Sequence, residues 1–138
     1  MISVAKDMPL IAALWIAGLV QLAIALANFA LPRKLQYREN LARVAPIVRQ
    51  IFVVHSGYIV GIVVLFAAIT LGFASELASG HGLGRFLAAA LSIFWFCRIP
   101  IQLLYYDSHL RRANRAGDVA MTVALAFIAS AYALAALA

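Results

Sequence analysis

Acidic residues are scarce in this chain. Five Asp or Glu stand against eleven Lys or Arg in 138 residues, and charged side chains make up only 12% of the total. Soluble globular domains draw about 25% of their residues from that set, so a water-soluble fold would have too little polar surface to wear. One cysteine, Cys97, excludes a disulfide framework and says nothing of redox compartment. There is no CxxC, no HxxxH and no carboxylate within an apolar run, so the chain lacks the ligand spacing of a metal centre. Haem bound by two histidines is excluded similarly, because His55 has no mate at its depth: His109 falls at a surface and His81 in the opposite loop. No catalytic motif or cofactor motif of any specificity is present, and no catalytic residue is assigned.

What the chain has in abundance is hydrophobic sequence, 66% of it. Four apolar stretches, 8–31, 47–73, 86–106 and 119–137, are each long enough to cross a bilayer, which takes about 20 residues. Lipid cannot hydrogen-bond a peptide group, so each must be a helix. The expected fold is therefore all-α and integral to the membrane: a single four-transmembrane-helix up-down bundle with short loops and no room for a soluble domain. The chain ends at Ala138, flush with the expected bilayer surface, so no outer domain is expected after it. The first stretch starts weakly basic at Lys6, and Ala25-Leu26-Ala27 resembles a signal-peptidase site. Its Pro9–Ala27 run exceeds the usual signal core of about 7–15 residues, so it is read as a span. Cleavage there would leave three crossings and remove Gln21.

A net charge of +6 could suggest nucleic acid, but its distribution points to topology. Loop 32–49 holds Arg33, Lys34, Arg38, Arg43 and Arg49, and loop 107–118 holds Arg111, Arg112 and Arg115, whereas the middle loop holds only Arg85. Basic residues are retained on the cytoplasmic side. Loops 32–49 and 107–118 are thus expected in the cytoplasm, both termini on the non-cytoplasmic side, and the protein in a bacterial inner (plasma) membrane. Helix-end signals agree with the segmentation. Asp7 is placed to cap the first helix with Pro9 in its first turn, Pro32 to close it, and Pro46 to open the second. Ser79-Gly80-His81-Gly82 reads as a turn, and Gly117-Asp118 as the break and cap before the fourth helix. Residues 35–45 read as a solvated basic loop in preference to a surface amphipathic turn.

Polar residues inside the spans are few and fall at matching depth. At 100° per residue, Gln102, Tyr105 and His109 share a stripe with Arg98. Gln21 and Asn28 share a face of the first helix; His55 and Tyr58 are three apart on the second, beside Ser56, Gly57 and Gly61. With about 1.5 Å of rise per residue these all fall in the cytoplasmic half, while Ser92, Thr70, Ser130 and Tyr132 are the exceptions in the outer half. An arginine near the bilayer centre costs about 2.5–3.5 kcal/mol on insertion scales, so Arg98 needs a partner or a purpose. Pro100 frees the carbonyl of Phe96 nearby. The expectation is a polar pocket in the cytoplasmic leaflet with Arg98, His55, Gln102, Tyr58, Asn28, Gln21 and Tyr105 as ligand-binding residues. Its occupant would be an anionic or carbonyl-bearing molecule, lipid-like or quinone-like. Interhelical glue is the competing reading of Arg98. Phe94-Trp95-Phe96 read as apolar filling, and Asp107 with Arg111 as a surface i, i+4 pair.

Four function classes follow. The first is a non-catalytic binding or accessory protein holding a lipid or quinone. The second is a structural subunit packed on a membrane-protein partner, and the third a small dimeric transporter. Small multidrug transporters share this size but depend on a membrane-embedded glutamate in the first helix, where this chain has only Gln21 and Asn28. An enzyme using His55, Tyr58, Ser56 and Arg98 for proton transfer is the fourth. The bilayer itself is the one partner common to all four; nucleic acid is excluded, and the sequence specifies no cofactor.

Overall fold

The computed structural model describes the backbone of residues 2–138 and the side chains of residues 8–109 and 111–138. Every regular element among them is helical. In chain order these are α1 (Ile2–Lys34), α2 (Tyr37–Ala42), α3 (Pro46–Gly72), α4 (Ala74–Ala78), α5 (Gly82–Pro100), a π-helical turn (Ile101–Tyr105), α6 (Ser108–Ala113) and α7 (Arg115–Leu137). Four stretches, Met8–Lys34, Pro46–Gly72, Gly82–Tyr105 and Arg115–Leu137, are long and apolar enough to cross a membrane.

The helix ends differ from the sequence signals in instructive ways. Helix α1 already runs from Ile2, so position 7 lies inside it and not at its cap; the Asp7 side chain is outside the described residues. Pro32 also lies inside α1, which ends only where Gln36 turns left-handed at φ 49. Proline removes one donor, and the bond from Leu35 N–H to the Leu31 carbonyl carries the helix past it. Pro46, by contrast, opens α3 at its first turn as expected, where its missing N–H is harmless. Helix α7 begins at Arg115, ahead of the expected break, so Gly117 and Asp118 sit in its first turn. The basic first loop contains a helix, α2, whose Tyr37 ring packs edge-on against Phe52 of α3 with centroids 5.2 Å apart.

Helix α5 lies along α7, α1 along both α7 and α3, and α4 fills the space beside α1, α5 and α7. Ser92 meets Ala129 while Gln102 meets Asp118, so α5 and α7 run in opposite directions. The core is made of small and medium residues: Leu14 and Ala17 from α1, Ala67 from α3, Ala88 and Trp95 from α5, and Leu125, Ile128, Ala129 and Ala135 from α7. Lipid offers no hydrophobic drive between helices, so close approach through small side chains supplies the packing. Gly18 and Gly84 serve it directly. A Cβ on Gly18 would sit 2.8 Å from Leu71 Cγ of α3, and one on Gly84 would sit 2.0 Å from the Glu76 carbonyl oxygen. Helix α3 is the outlier. Only Val63, Ala67 and Thr70, all in its second half, are buried. Its first half shows Ile47, Ile51, Val54 and Tyr58 outward.

Candidate functional site

The polar residues expected to share one pocket are distributed over three places. Gln21 is fully buried and belongs to a triad at the meeting of α1, α3 and α7. Its Nε2 donates to the Tyr132 hydroxyl at 2.8 Å and to the Ala17 carbonyl at 3.2 Å. Thr70 Oγ1 donates to the Phe66 carbonyl at 2.7 Å and touches the Tyr132 hydroxyl. Because the single threonine proton is spent on Phe66, Tyr132 donates to Thr70, and one directed chain links the three helices. Gln21 Oε1 is buried and has no partner among the described residues.

On α3, His55 and Tyr58 face outward. Tyr58 is 72% exposed, and the His55 Nδ1–H goes to the Ile51 carbonyl of its own helix at 2.9 Å. Beside them Val53, Val54, Gly57, Tyr58 and Gly61 line a shallow groove of about 610 Å³ on the outer face. Nothing lies within 4 Å of a Cβ placed on Gly57 or Gly61, so the glycine pair is not used for packing within the protein. Asn28 also bonds within its own helix, to the Ile24 carbonyl at 2.8 Å.

The third place is the end of α5, where Arg98 and Gln102 do lie near charge. Pro100 is followed by the π-turn, a local widening of the helix that frequently marks functional sites. Arg98 is half-buried. Its Nη2 donates to the Tyr106 hydroxyl at 3.0 Å, and its guanidinium stands 5.2 Å from the centroid of that ring. Two donors on this part of α5 are buried with no acceptor among the described residues, Arg98 Nη1 and Trp95 Nε1. Gln102 turns to Asp118 at 2.9 Å. Tyr105 is 83% exposed and bonds to neither. Among the described residues no hydrogen bond joins any two of the seven expected ligand-binding residues.

Asp118 is instead the centre of the end of the bundle at loop 107–118. Arg111 grips it with two bonds, Nε to Oδ1 at 3.0 Å and Nη2 to Oδ2 at 2.9 Å, and its Nη1 donates to the Leu103 carbonyl. The hydrogen bond to Asp118 raises the guanidinium pKa of Arg111; partial desolvation opposes this and the carboxylate's charge adds to it. Arg111 thus goes to Asp118, while the Asp107 carboxylate accepts from the His109 N–H at the start of α6. Ser108, Arg111, Arg112, Arg115 and Asp118 line an open cleft of about 450 Å³ here. Among the described residues no three His, Cys, Asp or Glu come together as a metal site would need.

Sequence reasoning missed Tyr132 and Thr70 as partners of Gln21, and Trp95, Tyr106, Asp118 and Arg111 as neighbours of the Arg98 stripe. A phenol and a threonine among alanines and aliphatics were the available signals for the first set. For Asp118 the signal was its rarity, as one of five acids in the chain.

Four apolar helices of spanning length, with polar groups concentrated in a buried triad and at one end, define a small integral membrane protein. No protein family, curated protein or solved structure matches the chain.

Proposed function

We propose that this is a non-catalytic binding or accessory protein of the membrane, an up-down bundle with both termini outside. In this reading it holds the head of a lipid-like or quinone-like molecule beside Arg98, in the cytoplasmic leaflet. The observation that carries the reading is the pair of buried donors without acceptors, Arg98 Nη1 and Trp95 Nε1. Residues three apart on a helix are neighbours on its surface. A buried donor left unpaired costs about 1–3 kcal/mol, and two donors cannot satisfy each other. The chemistry that satisfies both is an oxygen acceptor such as a quinone or ester carbonyl or a phosphate oxygen. The π-turn follows Pro100 directly, next to Arg98 along the chain. His55, Tyr58 and Tyr105 have no part in this smaller site, and Gln102 acts on it only by fixing the end of α5 to Asp118.

The test is native mass spectrometry of the purified full chain in mild detergent, with organic extraction of whatever is bound. Wild type is expected to carry a lipid or quinone adduct that Arg98→Gln and Trp95→Phe each lose. If both variants keep every adduct that wild type carries, or wild type carries none, the reading is overturned. A second reading, a structural subunit of a larger assembly, is favoured by one observation: a Cβ on Gly57 or Gly61 would meet nothing within 4 Å among the described residues. Co-migration of the chain with a larger membrane protein in a native gel, lost on Gly57→Leu, is the outcome it requires.

A further inference from the structure

The cleft between α6 and the start of α7 carries charge that its own salt bridge leaves unbalanced. All three guanidinium nitrogens of Arg111 are engaged, two kinds of bond to Asp118 and one to Leu103. Asp118 in turn is filled by Arg111 and Gln102. That pair cancels in charge and acts as the wall of the cleft. What remains of the lining is Ser108 with Arg112 and Arg115, both arginines exposed and neither ion-paired among the described residues. Two unpaired arginines and a hydroxyl donor around about 450 Å³ suit one chemistry. They offer forked N–H donors and a net positive field, which is how phosphate oxygens are recognised. The cleft also adjoins the first turn of α7, a 23-residue helix whose N-terminal end adds partial positive charge. It stands where the π-turn and α7 meet the loop, at the edge of two spanning stretches, so a phosphate in the headgroup layer is within reach.

The geometry points to a phosphate-binding cleft formed by Arg112, Arg115 and Ser108, with the headgroup of an anionic phospholipid as its occupant. Its phosphate-contacting side chains, Arg112, Arg115 and Ser108, are not those that hold the head in the Arg98 reading, and either can fail alone. The full chain in mild detergent is titrated with three probes: short-chain phosphatidylglycerol, short-chain phosphatidylcholine and inorganic phosphate. Bound adducts are read by native mass spectrometry. Phosphatidylglycerol is expected to bind more tightly than phosphatidylcholine, and Arg112→Gln/Arg115→Gln to weaken it about 30-fold, roughly the effect of two surface arginines on an anionic lipid. The control Arg38→Gln/Arg43→Gln removes the same charge from the other basic loop and is expected to change little. Circular dichroism checks that both doubles keep their helices. Inorganic phosphate binding with the same dependence on Arg112 and Arg115, and no preference between lipids, assigns the cleft to free phosphate. Equal weakening by both double variants, or none by either, overturns the proposal, since binding is then diffuse attraction or absent.

Discussion

Replacing Tyr132 by Phe removes one oxygen atom from the place where α1, α3 and α7 meet. The ring stays, so packing is preserved and the loss is confined to hydrogen bonding. Two interhelical bonds go: the one accepted from Gln21 Nε2 at 2.8 Å and the one donated to Thr70. Interhelical hydrogen bonds in membranes average about 0.6 kcal/mol and reach about 1.7, so their joint loss is worth about 1–3 kcal/mol. The upper part of that range is expected. Gln21 is fully buried and its Oε1 already has no partner, so stranding an N–H as well leaves its amide tied only to Ala17. Tyr105→Phe, at an exposed position, is expected to change stability by less than about 0.5 kcal/mol. The assay is reversible unfolding in mixed micelles, titrating a denaturing detergent and following helix content. A double-mutant cycle of Tyr132→Phe with Thr70→Val isolates the hydroxyl pair, with a coupling of about 0.6–1.7 kcal/mol expected. If Tyr132→Phe matches Tyr105→Phe and the cycle gives no coupling, the triad does not fasten the helices and the reasoning fails.

Gly84→Ala drives a methyl group into the Glu76 carbonyl and is expected to destabilise by about 2 kcal/mol or more in the same assay. Gly57→Ala and Gly61→Ala meet open space and are expected to be neutral or stabilising by up to about 1 kcal/mol; a loss at either site means another molecule covers that face. Asp118→Asn takes the charge from the Arg111 grip, and amide hydrogen exchange across residues 108–114 is expected to quicken while α1 is unchanged. In a Cys97→Ala background, a membrane-impermeant maleimide on intact cells is expected to label Ser79→Cys and spare Ser108→Cys; the reverse pattern inverts the orientation.

The spans were legible because hydrocarbon thickness sets a minimum length for an apolar run, and that constraint needs no knowledge of partners. Their ends were less so. Pro32 reads as a stop, yet α1 continues to Lys34, and the short α4 is too small to leave a periodic signal. The Arg98 stripe failed for a definite reason. Its prediction assumed 100° per residue through Tyr105 and His109, but the π-turn at Ile101–Tyr105 winds more slowly and the chain is extended at Tyr106. Phase is lost after Gln102, and Tyr105 ends outward. Depth in the bilayer was illegible for a similar reason. Thr70 and Gln21 touch the same hydroxyl, yet they lie about 36 Å along α3 from Pro46 and about 20 Å along α1 from Lys34, so equal rise does not mean equal depth. The choice of partner across helices depends on tilt and on where each helix starts, neither of which the sequence states.

The clasp of Arg111 on Asp118 bears on how the last part of the chain enters the bilayer. An aspartate in the first turn of the final apolar segment would resist leaving water alone, and a guanidinium seven residues earlier offsets part of that cost. Gln102 from the preceding segment bonds the same carboxylate, so the two segments are tied to each other across the turn. They are therefore suited to being handed into lipid together as a hairpin, with the turn between them already closed.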